Sequence, residues 1–96
     1  MTYADLLESL RILGLGERAT IKAIKARHRD LVKRHHPDTA NSNDPDMIKK
    51  VNSAYRVIQD YISDYRFSFK EDEFYEQNPE ERIWQQFADD PLWGKK

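Results

Sequence analysis

The chain has 96 residues, 34% of them charged, with a formal net charge of −1 and no cysteine. These values fit one small domain and exclude a disulfide framework, thiol catalysis and a Cys-based zinc site. No apolar run approaches the roughly 20 residues of a membrane span. The start, Met1 to Asp5, has no basic n-region, so a soluble cytoplasmic protein is the expectation.

The charge is segregated. From Arg18 to Asp38 seven Lys/Arg stand against Asp30 and Asp38, a balance of +5. From Lys70 to Lys96 eight Asp/Glu stand against four Lys/Arg, a balance of −4. A basic segment and an acidic tail share one chain.

Tyr3, Leu6, Leu7, Leu10 and Leu13 recur at helical spacing and predict a first helix with Thr2 as its N-cap. Gly14 and Gly16 end it. Thr20 caps a second helix over about 21–35, in which Ile21, Ile24, His28, Leu31, Val32 and His35 fall within an arc of about 100°. Lys22, Lys25, Arg29 and Lys33 occupy an adjacent arc, so the helix is two-faced. Pro37 biases His36 out of the α region and turns the chain.

After a polar loop, Asp44-Pro45 opens a third helix over about 45–64 that buries Met47, Val51, Ala54, Tyr55, Ile58 and Ile62. The second and third helices pair as an antiparallel hairpin. In the tail, Ser68-Phe69-Lys70-Glu71 and Asn78-Pro79-Glu80-Glu81 fit the N-terminal capping pattern and predict short helices over about 69–77 and 79–88. Seven aromatics (Phe67, Phe69, Phe74, Tyr75, Trp84, Phe87 and Trp93) are too many for a solvated tail. Residues 67–93 are expected to fold back on the helical core. The fold class is all-α, with domains at 1–66 and 67–96.

His36-Pro37-Asp38 lies between a basic helix and its return helix. Together with Leu13-Gly14-Leu15, Ala19-Thr20, Ile24-Lys25 and Val51-Asn52-Ser53-Ala54-Tyr55, this arrangement resembles the J-domain of DnaJ-type co-chaperones from about Leu10 to Ile58. The resemblance implies a domain that docks on an ATP-bound DnaK-type heat-shock chaperone and triggers its ATP hydrolysis. By the same resemblance, Lys25, Arg29, His36, Pro37 and Asp38 make that contact. Lys22 and Lys33 join them on charge, because four cations on one face steer an acidic partner. The Asp38 carboxylate is suited to a partner arginine.

His28 stands where the family usually has Tyr, and Asp30 where a basic residue is common. The family's basic fourth-helix motif is replaced by Asp60-Tyr61-Ile62-Ser63-Asp64-Tyr65-Arg66. There is no Gly/Phe-rich linker, zinc module or client-binding β domain.

His28, His35 and His36 do not converge as a metal site across the Pro37 turn, and no cofactor is expected. His36 and Asp38 lack a nucleophile and oxyanion donors nearby, so the chain is not read as an enzyme. A helix-turn-helix-like nucleic-acid binder using Lys22, Lys25, Arg27, Arg29, Lys33 and Arg34 conflicts with the acidic balance and the nine-residue loop over 36–44. A J-like structural adaptor without chaperone activation remains the closer alternative. A monomer without nucleic acid or membrane partners is the expected state.

Overall fold

A computed structural model of the chain describes residues 1–36 and 45–89. The described residues form five helices and no strand: α1 (Tyr3–Leu13), α2 (Ile21–His35), α3 (Pro45–Ser63), α4 (Glu71–Gln77) and α5 (Pro79–Asp89). The chain divides into two compact units, Met1–Tyr65 and Arg66–Lys96.

In the first unit α1 and α2 both pack on α3. Thr2 opens α1 with a reciprocal capping box. Its hydroxyl accepts from the Asp5 N–H at 3.1 Å, and its own N–H donates to the Asp5 carboxylate at 3.0 Å. Those bonds from the Thr2 backbone and side chain hold the Asp5 carboxyl below its ordinary pKa. An exposed Arg11–Glu8 ion pair lies on the same helix.

α1 ends in a Schellman turn. Gly14 sits at φ 68° and donates to Arg11 O at 3.1 Å, while the Leu15 N–H donates to Leu10 O at 2.9 Å. That pattern leaves the Leu13 carbonyl over. Arg27 of α2 takes it, its Nε donating at 2.9 Å. One side chain thereby satisfies an orphan helix-end acceptor and ties α2 to α1.

The core consists of Leu13, Ile24, Leu31, Val51, Ala54 and Ile58, with Leu6, Leu10, Ile12, Val32, Met47 and Tyr55 among the residues packed around it. The α1 stripe is rotated from the expected one. Tyr3 is 73% exposed and Leu7 47%, whereas Ser9 is buried and Ile12 packs on the core. Ser9 tolerates burial because its hydroxyl donates to Asp5 O at 2.8 Å. On α2, Ile21 is likewise exposed.

In the second unit α4 packs against α5. α4 starts two residues later than expected. Its N-cap is Lys70, which makes no side-chain capping bond, and Ser68 instead accepts from the Lys70 N–H at 3.3 Å. Asn78 also acts differently from the expected N-cap of α5. Its side-chain and backbone N–H groups both donate to Phe74 O at 2.9 Å, closing α4 behind it. The expected Asp44 cap, Trp93 of the aromatic tail and most of the 36–44 loop lie outside the described residues.

Candidate partner-binding face

α2 positions the candidate site. Thr20 caps it, accepting from the Ala23 N–H at 3.0 Å, so the helix and its basic face start at a defined residue. Ile24 and Leu31 then fix its rotation by burying against α3. With the apolar arc turned inward, Lys22, Lys25, Arg29 and Lys33 are all exposed. They share a face over three turns, and their charges add in one direction.

The helix ends where Pro37 requires. His36 is its C-cap, exposed, at φ −67° and ψ 138°. That extended geometry is the one a residue before proline adopts. Pro37 and Asp38 lie outside the described residues. The structure therefore brings Lys22, Lys25, Arg29, Lys33 and His36 onto one helix and its immediate end.

Four other residues of α2 separate from this set. Arg27 is half-buried and committed to the Leu13 carbonyl. Asp30 and Arg34, four residues apart and both exposed, form no ion pair with each other. His28 faces α3, where its ring stacks on Tyr55 with centroids 3.8 Å apart and planes within 5°. Its Nε2 lies at hydrogen-bond distance, 2.9 Å, from Asn52 Oδ1. The imidazole thus fills the place of an aromatic and adds a polar pin between the hairpin's helices.

Sequence reasoning placed His28 at the core edge but missed Asn52 as its partner. The signal was present, because Asn52 and Tyr55 lie one turn apart on a helix that must face α2. Among the described residues no group of three His, Cys, Asp or Glu is placed to hold a metal. No described helix is long and apolar enough to cross a membrane.

A family model described as the DnaJ domain matches residues 9–64. A chaperone protein DnaJ of Ureaplasma parvum is 47% identical over 49 residues, 51% of this chain and 13% of that protein. A DnaJ-like protein of Mycoplasma pneumoniae is 40% identical over 78 residues, 75% of this chain and 23% of that protein. A curved DNA-binding protein of Pseudomonas putida is 40% identical over 57 residues, 58% of this chain and 18% of that protein. The chain thus spans less than a quarter of the length of each of these relatives. No solved structure matches it significantly. With more than half of its residues inside the family match, and with helices, basic face and pre-proline helix end where the motif needs them, the chain belongs to the DnaJ domain family.

Proposed function

We propose that this chain is a co-chaperone module that docks on a DnaK-type heat-shock chaperone and stimulates its ATPase. The observation that carries the reading is the exposed row Lys22, Lys25, Arg29 and Lys33, which leads along α2 to the extended His36 within the family match. The row attracts an acidic surface and orients the helix on it. His36-Pro37-Asp38 supplies the specific contact, with Asp38 accepting charge-assisted bonds from a partner arginine. ATP cleavage takes place in the partner, so this chain contributes no reacting group. It acts as a soluble cytoplasmic monomer.

The test is single-turnover ATP hydrolysis by a DnaK-type chaperone, with and without the chain. Stimulation is expected, and His36→Gln and Asp38→Asn are each expected to abolish it with helicity and melting nearly unchanged. Full stimulation by both variants would overturn the role of the loop. Failure of the unaltered chain to stimulate would favour a structural adaptor.

The nucleic-acid reading has the name of the Pseudomonas relatives behind it. It needs Arg27 at the surface, whereas that guanidinium is bonded to Leu13. A DNA mobility shift is accordingly expected to be absent at physiological salt.

A further inference from the structure

We infer that the α4–α5 segment is a docking surface for a cationic amphipathic segment of another protein. This inference is independent of chaperone stimulation, because it concerns the second unit alone.

The first observation is how little the segment covers. From Arg66 to Ala88 no residue is buried. Phe69 is 92% exposed, Trp84 67% and Ile83 52%. Helices of 7 and 11 residues fall below the length, about 12–15 residues, at which isolated helices are even marginal in water. A segment built this way gains order when a partner covers its apolar side chains.

The second observation selects the partner's charge. From Glu71 to Asp89 there are seven Asp/Glu against Arg82 alone. On α5 the carboxylates are not kept to a polar far side. At about 100° per residue, Glu80 and Glu81 project within about 60° of Trp84, one on each flank. Ile83 and Phe87 lie on the same half of the helix. An apolar surface covering Trp84 would strip water from both carboxylates without compensation. A partner with Lys or Arg beside an apolar stripe satisfies both demands.

The row on α2 does not meet them. Lys22, Lys25, Arg29 and Lys33 supply charge, but at about 100° per residue no apolar side chain falls within their arc; of the two that flank it, Ala26 is too small to cover an indole and Val32 packs on the core. The occupant is therefore a segment of another protein that carries cations and an apolar stripe together.

The test uses the full chain with Trp93→Phe, leaving Trp84 as the sole tryptophan. Three synthetic peptides of equal length are titrated: a Lys/Leu amphipathic helix, its Glu/Leu counterpart, and a Lys/Ser peptide without an apolar face. The expected result is a saturable blue shift of Trp84 emission with the Lys/Leu peptide. The other two should bind at least about tenfold more weakly. With a dye-labelled Lys/Leu peptide and the natural Trp93, Trp84→Ala is expected to weaken binding by a similar factor. Glu80→Gln with Glu81→Gln is expected to flatten its salt dependence. Equal binding of the Lys/Leu and Lys/Ser peptides would overturn the inference, as would unchanged affinity in Trp84→Ala. Trp84 emission already blue-shifted before any addition, and insensitive to peptide, would overturn it in favour of coverage by the chain itself.

Discussion

Two neighbouring residues of α2, Arg27 and His28, carry much of what is particular to this chain. Arg27 reaches the Leu13 carbonyl, and it does so across Gly14, where a Cβ would stand 2.9 Å from the guanidinium Nη2. Gly14 is thus constrained by its φ of 68° and by the arginine lying over it. Gly14→Ala is expected to cost about 1–2 kcal/mol, combining the left-handed backbone with displacement of Arg27. For a protein of this size that lowers the melting temperature by roughly 4–16 °C, measurable by circular dichroism. His28 makes a second, independent connection through the Tyr55 stack and Asn52. A double-mutant cycle of His28→Ala and Asn52→Ala is expected to show a coupling energy of about 0.5–1.5 kcal/mol in denaturant unfolding. Strict additivity would mean that the hydrogen bond adds nothing to the stack.

At the scale of elements, periodicity alone separates the two faces of α2 and places the α3 stripe, because the apolar side chains of each helix gather in one arc opposite its charged ones. Val51, Ala54 and Ile58 are buried as their spacing requires. α1 was less legible, since a leucine at nearly every third position leaves the centre of the stripe undetermined until the neighbour is known. Its buried side then includes Ser9, which no hydrophobic pattern selects. The capping patterns at Ser68 and Asn78 located both tail helices but not their capping bonds. An Asn between two helices can serve either, and here its amide serves the one behind. The same two-faced α2 yields a graded prediction. Lys25→Ala and Arg29→Ala are expected to weaken chaperone stimulation more in low salt than in high salt, because exposed charges act through a screened field. Arg27→Ala should behave oppositely. It should lose about 1–2 kcal/mol of stability by orphaning the Leu13 carbonyl, yet retain stimulation when assayed well below its melting point. Asp30→Arg extends the positive row and is expected to strengthen stimulation. Weaker stimulation would mean that Asp30 makes a contact of its own.

For the whole molecule, the question is what the acidic, aromatic second half contributes. Among the described residues the six buried hydrophobic ones all belong to Met1–Tyr65, and that unit also contains the Arg27–Leu13 and His28–Asn52 ties between its helices. The aromatic count of the tail, read from sequence, argued for folding back on this core, because buried rings each contribute on the order of 2–3 kcal/mol. A count of aromatics leaves out the carboxylates that share their helix face, and Glu80 and Glu81 beside Trp84 make a cationic partner the better match. Truncation after Tyr65 separates the two ideas. If the second half recruits another protein, the truncated chain should melt within about 2 °C of the full chain, since less than about 0.5 kcal/mol would change hands. Chaperone stimulation should also be unaltered. A melting temperature lower by roughly 8 °C or more would mean that rings from the tail are packed on the helical core, each loss of a few kcal/mol appearing on that scale. Stimulation that rises on truncation would add that the acidic segment lies across Lys25 and Arg29 in the intact chain and withholds them from the chaperone.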